Sequence, residues 1–359
     1  MIFIAGISIS VFFELLLVFK KSKTQSDKIL IVWMFLISVH MFLFYASYTR
    51  VSINYPFLLG LDLPLPLIHG LMLYLYVAST TNQLPKNKNY LYPHFIPVVA
   101  AYLYLIPYFR LPVDERIYIY QNNGVGYELF MTILIVSFSL LGIAYQVWSI
   151  ILLHRHKKNI VNHFSEIEKI SLNWLRILIW GMGLIWLVVI IFQNDIYNFV
   201  ILTLFVFAIG FFGIRQIGIY PQERVDKKPD EKKEKYQKSG LNKGLAEELY
   251  GRLKLLMTED KVFVNNDLSI NDLAGKLKVH PNYLSQVINE QEGRNFYDFV
   301  NHYRMEEFKR LISIPKNQQL TLLSLAFECG FNSKSSFNRY FKKSTGQTPS
   351  HYTSLITNN

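Results

Sequence analysis

The chain has 359 residues, of which 51% are hydrophobic and only 18% are charged, and its formal net charge is +11. The charges are unevenly divided: residues 1–220 contain 15 Lys and Arg with 9 Asp and Glu, whereas residues 221–359 contain 22 and 17. This division excludes a single soluble domain and excludes disorder for most of the chain. One cysteine, Cys329, excludes an internal disulfide and is predicted to be a small buried apolar residue.

Seven apolar stretches precede residue 220, and most have the roughly 20 residues that a membrane-spanning helix needs. They lie at about 2–19, 29–48, 58–79, 95–109, 128–153, 174–192 and 197–219. The first stretch has its lysines after the apolar run, so we interpret it as an anchor and not as a cleaved signal peptide. The sequence therefore predicts a seven-helix transmembrane bundle over residues 1–219.

Basic residues in the predicted loops indicate the orientation of this bundle. Loops one, three and five carry ten Lys and Arg, against three in the other loops. Cytoplasmic loops are enriched in Lys and Arg. We therefore expect these three loops in the cytoplasm, the N-terminus outside and the C-terminus inside.

Residues 220–261 are predicted to be a charged linker followed by a connecting helix. Residues 221–238 contain two prolines and alternating charges without an apolar face, which is typical of a solvated linker. A helix is predicted over about 241–257, with an apolar stripe formed by Leu245, Leu249, Leu253 and Leu256. We interpret the stripe as a packing face, with a dimer contact as the alternative.

An internal repeat follows, in which residues 268–274 (LSINDLA) and 320–326 (LTLLSLA) are offset by 52 positions. Each copy opens with a hydroxyl residue suited to a helix N-cap, Ser269 or Thr321. A short helix, a brief turn and a second helix are predicted in each copy, which is the helix-turn-helix arrangement. A longer helix, predicted over 296–312, joins the two units.

The two predicted turns differ at their first residue. Gly330 opens the second turn and suits a positive φ, whereas Lys278 has the matching position in the first. The predicted core positions of the second helices are spaced three and four apart and are Leu284, Val287 and Ile288, then Phe337, Tyr340 and Phe341.

The tail from about 262 to 355 resembles the DNA-binding domain of AraC/XylS-type transcriptional regulators. Three segments carry the resemblance: DLAGKLKVHPNYLSQVINE, NFYDFVNHYRMEEFKRLI and LAFECGFNSKSSFNRYFKKSTGQTPSHY. The first part of the chain resembles the seven-helix membrane halves fused to such domains in some bacterial regulators, through the arrangement and the fragments GLMLYLYV and HFIP. Lys278 departs from the family, which usually has glycine there.

The resemblance implies a cytoplasmic all-α DNA-binding domain over 262–359, whose two recognition helices enter successive major-groove segments on one face of DNA. Carried over by position, the base-facing residues are Asn282, Ser285 and Gln286, then Lys334, Ser335, Asn338 and Arg339. Asn and Gln can pair with adenine, and Arg and Lys with guanine. Lys342 and Lys343, near the end of the second recognition helix, are predicted phosphate contacts.

Ionisable residues at membrane depth are costly and often functional. Glu14, His40 and His69 fall inside predicted spans and are candidate sensing residues, with structural hydrogen bonding between helices as the alternative. A further cluster in the fifth loop comprises His154, His156 and His163. We interpret that cluster as part of a basic interfacial loop, and neither a metal site nor a cofactor is predicted.

Together these features predict an all-α, membrane-anchored transcription factor of a bacterial inner membrane, and not an enzyme. Its predicted partners are double-stranded DNA, the lipid bilayer and an unknown small-molecule or membrane signal. A second copy of the chain and RNA polymerase are further candidates. Two alternatives stay open: a transporter or membrane enzyme with a regulatory DNA-binding tail, and a protein–protein adaptor whose helix-turn-helix units no longer bind DNA.

Overall fold

The computed structural model describes residues 2–168, 170–192, 194–215 and 243–352. The chain forms two compact units, one of Met1–His154 with Leu172–Pro221 and one of Arg155–Ser171 with Gln222–Asn359. Within the described residues the regular structure is helical, apart from one antiparallel bridge between Phe164 and Ser269. The predicted linker over 221–238 lies outside the described residues.

The first unit is built from apolar helices. In chain order they are α1 (Ile2–Val18), α2 (Gln25–Tyr48), α3 (Val51–Asn54), α4 (Pro66–Thr80), α5 (Ile96–Phe109), α6 (Val113–Gln121), α7 (Glu128–Ile160), α8 (Asn173–Phe192) and α9 (Asp195–Arg215). The residues of α7 from 155 onward belong to the second unit. The short helices α3 and α6 were not predicted from the sequence.

Five described segments are long and apolar enough to cross a membrane. They are Gln25–Tyr48, Lys88–Phe109, Glu128–Ile160, Asn173–Phe192 and Asp195–Gly213. The remaining two of the seven predicted stretches correspond to shorter apolar helices, Phe3–Val18 and Pro66–Thr80.

The third predicted stretch, 58–79, is helical over a smaller part of its length than expected. A 3₁₀ segment occupies Pro56–Leu58, and α4 begins only at Pro66. Proline is favoured in the first turn of a helix, where no amide hydrogen is needed, and it cannot donate the hydrogen bond that a position inside a helix requires. Pro64 and Pro66 together therefore delay the start of α4.

The first unit has a dense interior and an apolar exterior. Trp33, Tyr76 and Phe199 are buried in a core shared by several helices. A Cβ atom added to Gly142 on α7 would lie 1.1 Å from the ring of Trp186, so this close contact requires glycine. By contrast, large side chains such as Leu140 and Ile191 are 64% and 65% exposed. Such an apolar exterior suits lipid better than water.

The second unit contains the helix-turn-helix pair. Its helices are α10 (Lys243–Thr258), α11 (Ile270–Leu277), α12 (Pro281–Glu292), α13 (Phe296–Ile312), α14 (Leu322–Glu328) and α15 (Lys334–Thr345). Residues 349–352 begin one more helix at the edge of the described residues. The predicted order of short helix, turn and second helix is confirmed in both helix-turn-helix copies, α11–α12 and α14–α15. The helix α13 has the predicted bounds.

Local hydrogen bonds explain where these helices begin and end. Ser269, a predicted N-cap, forms a capping box with Asp272 at the start of α11, and Thr321 accepts a hydrogen bond from the Ser324 amide at the start of α14. The turns contain Lys278 with φ +57° and Gly330 with φ +95°. Lys278 thus adopts the left-handed conformation that favours glycine.

Two hydrophobic clusters stabilise the second unit, and the six predicted core positions of α12 and α15 are buried in them. Cys329 is also buried, as predicted. The predicted stripe on α10 is wrong at Leu245, which is 60% exposed. The helix buries the predicted Leu249 and Leu253, but together with Ala246 and Met257 and not with Leu245 and Leu256. Both faces satisfy a spacing of three and four, so the pattern alone did not distinguish them.

Candidate nucleic-acid interface

The first recognition helix, α12, holds the three predicted base-facing residues outside its buried face. Asn282 and Gln286 are exposed and Ser285 is half-buried. The Gln286 amide donates to Glu290 Oε1 over 2.7 Å. The Asn289 amide donates to the carbonyl of Ser285 over 2.7 Å. These side-chain hydrogen bonds are exposed, so the amide groups can exchange them for base edges at little cost.

The second recognition helix, α15, is strongly two-sided. Phe337 and Phe341 face the core, whereas Lys334, Ser335 and Arg339 are exposed. Ser333 caps the helix by accepting a hydrogen bond from the Ser336 amide over 3.1 Å. Asn338 is half-buried. The helix therefore presents a polar and basic face beginning at its first turn.

A groove of about 380 Å³ runs along this face. Four predicted DNA contacts line it, namely Lys334, Asn338, Arg339 and Lys342. Apolar residues of α14, Leu322 and Leu323, and residues 348–350 complete its walls. The structure thus brings four residues from the predicted set together on one concave surface with an excess of positive charge.

The two lysines predicted to contact phosphate differ in their surroundings. Lys343 Nζ forms an ion pair with Asp298 Oδ1 of α13 at 2.6 Å. Lys342 lines the groove and makes no ion pair with any described residue. Lys342 is therefore the freer of the two charges for a phosphate.

The structure adds one residue that the sequence analysis did not identify, Glu168. The Ser333 hydroxyl donates a hydrogen bond to the Glu168 carboxylate at the start of α15. Partial burial raises the pKa of Glu168, but hydrogen bonds from Ser333 and Ser335 and the positive charge of Arg339 outweigh this effect, so the pKa lies below its ordinary value. Glu168 is therefore an anion at neutral pH, next to the predicted base-reading residues.

Arg339 interacts with Glu166 and Glu168 and with Tyr297 of α13, the helix that joins the two helix-turn-helix copies. Partial burial lowers the pKa of Arg339, but a hydrogen bond with the Tyr297 side chain and the charges of Glu168 and Glu166 raise it above its ordinary value overall. The guanidinium group thus has partners within the chain. Binding to a guanine would require Arg339 to exchange at least part of this environment.

Of the three candidate sensing residues in the first unit, two meet and one is separate. His40 Nδ1 and His69 Nε2 are 2.8 Å apart, so one donates a hydrogen bond to the other, and their rings are stacked. Glu14 instead forms a side-chain hydrogen bond with Ser38. The hydroxyl oxygens of Ser38 and Ser10 are 2.7 Å apart and share a hydrogen bond. The polar groups of the apolar helices therefore form two small clusters.

A cavity of about 330 Å³ in the first unit lies beside Asp62. Three tyrosines line it, Tyr108, Tyr120 and Tyr127. The sequence analysis did not identify this cavity, because its walls come from four separate segments of the chain. Among the described residues, no group of three or more His, Cys, Asp or Glu side chains is arranged to hold a metal ion.

Comparison with known protein families gives a match within the second unit. Residues 273–354 match the family described as "Helix-turn-helix domain", which is of the AraC type. This match covers α11 from Leu273 onward together with α12, α14 and α15. The C-terminal part of the chain is therefore similar in sequence to the helix-turn-helix domains of transcriptional regulators.

Individual relatives agree with this class. The chain is 37% identical over 89 residues to the HTH-type transcriptional regulator YobQ of Bacillus subtilis, covering 25% of this chain and 36% of the relative. It is 33% identical over 85 residues to the HTH-type transcriptional regulator YijO of Escherichia coli, covering 24% and 29%. The Msm operon regulatory protein of Streptococcus mutans is 27% identical over 94 residues, covering 26% and 33%. The chain thus spans about a third of the length of these relatives, and no solved structure matches it significantly.

Proposed function

We propose that the protein is a membrane-anchored transcription factor that reads a specific promoter site through two helix-turn-helix units. The observation that carries this proposal is the pair of helices α12 and α15, each with a buried apolar face and an exposed polar face. The residue types on the exposed faces, Asn, Gln, Lys and Arg, are those that hydrogen-bond base edges in the major groove. The HTH-type regulators among the relatives support the same assignment.

We further propose that residues 1–219 anchor the protein with seven membrane helices and sense a signal. The five long apolar helices and the two shorter ones support this number. The exposed apolar side chains of α7 and α8 support burial in lipid. With the N-terminus outside, the charged linker and the DNA-binding part lie in the cytoplasm, where DNA is accessible.

Genome-wide mapping of the DNA bound by the intact protein in cells tests the proposed DNA binding. We expect a small set of enriched promoter sites with a shared motif that spans two major-groove segments on one face. A variant with Gln286→Ala and Arg339→Ala should lose this enrichment while still being found in the membrane fraction. If the wild-type protein enriched no site, the adaptor interpretation would replace the transcription factor.

Reporter fusions test the orientation. A reporter active only in the cytoplasm, fused after residue 225, should be active, and the same reporter fused after Arg50 should be inactive. Activity of a periplasmic reporter at residue 225 would contradict both the orientation and the DNA-binding role, because the tail then has no access to DNA.

A further inference from the structure

The loop between α7 and α8 is part of the DNA-binding unit, although the chain reaches that domain only a hundred residues later. The segment Arg155–Ser171 belongs to the second unit together with the helix-turn-helix pairs. Its backbone pairs with the residues around the start of α11: the Ser165 amide donates to Leu268 O over 3.1 Å, and the Ile270 amide donates to His163 O over 2.9 Å. We name residues 161–168 the docking segment.

Buried polar groups hold the centre of the docking segment. Ser165 is fully buried, and its hydroxyl donates to Leu268 O over 2.6 Å. From α13, the Asn301 amide donates to Ser165 O over 3.1 Å, and Arg304 Nη2 donates to Ser165 Oγ over 3.1 Å. Removing Ser165 would leave buried donors of Asn301 and Arg304 with fewer partners, which is costly.

Arg304 connects the docking segment to other parts of the second unit. Its side chain is fully buried and also donates to the carbonyls of Phe263 and Asn265, each over 2.8 Å. Burial lowers the pKa of Arg304 to about 10, so the guanidinium group remains charged at neutral pH. A buried charge needs such hydrogen bonds. The docking segment supplies two of the acceptors around it, the carbonyl and the hydroxyl of Ser165.

Apolar and backbone contacts extend the docking segment on both sides of Ser165. Val161 and Ile167 pack against the cluster that contains the core residues of α15. The Tyr297 amide, in the first turn of α13, donates to Val161 O over 2.9 Å. The segment therefore supplies an acceptor to a helix start that otherwise lacks one.

The acidic end of the docking segment lies at the start of the second recognition helix. Glu168 accepts a hydrogen bond from Ser333, the N-cap residue of α15, and its charge acts on Arg339. In helix-turn-helix proteins the N-terminal residues of the recognition helix contact the base edges. DNA and Glu168 would therefore use the same donors, and the carboxylate would repel the phosphates nearby.

We propose that the docking segment is an intramolecular inhibitor of DNA binding, whose Glu168 must leave the start of α15 before the second recognition helix engages its site. This inference rests on the proposed function. The covalent linkage gives Glu168 an effective concentration in about the millimolar range, so even a weak contact competes with DNA. Ser165 keeps the segment in place, and Glu168 lies a few residues before α8, whose start follows at Asn173.

The test uses the full chain in lipid nanodiscs and the duplex most enriched in the genomic map. Glu168→Gln removes the charge that holds Ser333 and Arg339, and we expect the Kd for this duplex to fall by about three- to tenfold. Glu259→Gln is the matched control, because it removes one negative charge from an exposed position after α10. The control should leave the Kd within about twofold.

A second variant weakens the attachment of the docking segment, and a measurement on the wild-type chain separates inhibition from a folding effect. Ser165→Ala removes the buried hydroxyl that binds Leu268 and Arg304, and it should also tighten binding. Hydrogen exchange on the wild-type chain should show faster exchange at residues 166–168 when the duplex is added, because DNA displaces them.

Three results would overturn the inhibitor role. The first is equal or weaker duplex binding by Glu168→Gln relative to the wild type. The second is unchanged or slower exchange at residues 166–168 in the complex; in both cases the chain still binds DNA and the proposed function stands. The third is binding of no duplex by any of these chains, which removes the proposed function and the inhibitor role with it.

Discussion

Lys343 Nζ lies 2.6 Å from Asp298 Oδ1, so the end of the second recognition helix is joined to the linker helix by an ion pair. Lys342, the next residue back along α15, lines the groove beside Arg339. The side chain of Lys343 is 62% exposed, so the ion pair is worth little in stability. It nevertheless lowers the positive charge that Lys343 presents to DNA.

The two lysines should therefore differ in their contribution to DNA binding. Lys342→Ala should weaken binding to the enriched duplex and to a scrambled duplex alike, and should reduce the slope of log Kd against log salt by about one. Lys343→Ala should reduce it by less, because Asp298 already neutralises that charge. Titrations of both duplexes at several salt concentrations measure the slopes. Equal losses of slope in the two variants would show that DNA displaces Asp298 from Lys343.

Arg339→Ala should cost about 1–3 kcal/mol of binding free energy at the enriched duplex, if Arg339 reads a guanine with two hydrogen bonds. It should also relax the preference at one base position, since a base contact specifies sequence whereas a phosphate contact only positions the protein. Binding to duplexes that vary at each position in turn measures both effects. The same loss on the enriched and the scrambled duplex would instead make Arg339 a backbone contact.

Replacing the residue with positive φ should change the free energy of unfolding in opposite directions in the two turns. A Cβ atom at Gly330 would lie 2.5 Å from Phe263 O and 2.8 Å from Val264 O, so Gly330→Ala should lower the free energy of unfolding by about 3 kcal/mol. Lys278→Gly should raise it by about 1 kcal/mol, because glycine adopts a positive φ without the cost that lysine bears.

Hydrogen exchange of the amides in α11–α12 and α14–α15 of the full chain measures these free energies. Gly251→Ala is a matched control on α10, since nothing lies within 4 Å of its added Cβ atom. This control should stabilise the unit by about 0.5–1 kcal/mol. A neutral Gly330→Ala variant would mean that the α14–α15 turn shifts without strain.

Glu307 should make the second unit less stable in acid. Its hydrogen bonds with Arg310 and Lys261 outweigh partial burial and lower its pKa to about 2. A carboxyl whose folded pKa is depressed stabilises the fold above its unfolded pKa, and this contribution disappears as the pH falls from 4.5 towards about 2. Because the surroundings are partly solvated, we expect about 0.5–1 kcal/mol.

Glu307→Gln should therefore lower the free energy of unfolding at pH 7 and reduce its fall between pH 5 and pH 3, both of which hydrogen exchange of α13 can follow. Glu306→Gln provides a comparison on the same helix, with a more exposed ion pair to Lys309. A larger effect at Glu306 than at Glu307 would contradict the assignment.

His40 and His69 should act as one unit in the membrane part, because their ring nitrogens share a hydrogen bond. His40→Leu and His69→Leu should each change the response of the target promoter, and the double variant should add little to either single change. The effect of Glu14→Gln on the promoter response should add to that of either histidine variant, since Glu14 contacts Ser38 and not the histidines. Promoter activity in cells carrying each variant measures the response. Normal regulation in all of them would assign the three residues a structural role.

The helix-turn-helix part was predictable from the sequence because its signals are local. The N-caps at Ser269 and Thr321, the bounds of α13 and the alternation of aromatic and polar residues on α15 all follow from short-range patterns. The docking segment was not predictable, since Ser165 and Asn301 are 136 positions apart. Ser165 and Glu168 look like polar residues of an ordinary loop, and Asn301 and Arg304 look like the solvated face of a helix. Their roles become clear only from the structure, in which Asn301 and Arg304 donate hydrogen bonds to Ser165.

The membrane part shows a similar division. Hydropathy indicates where apolar helices lie, but it does not show how prolines delay the start of α4 or which histidines meet. The cavity beside Asp62 depends on the packing of several segments, which no single pattern records.

The docking segment also constrains the order in which the protein can be made. Ser165 is synthesised 136 residues before Asn301, its partner on α13. At about 5–20 residues per second, the segment waits roughly 7–27 seconds for the helix that covers it. During that interval Val161 and Ile167 have no core to pack against. Completion of the DNA-binding unit is therefore a late step of biosynthesis, which follows emergence of the C-terminal helices from the ribosome.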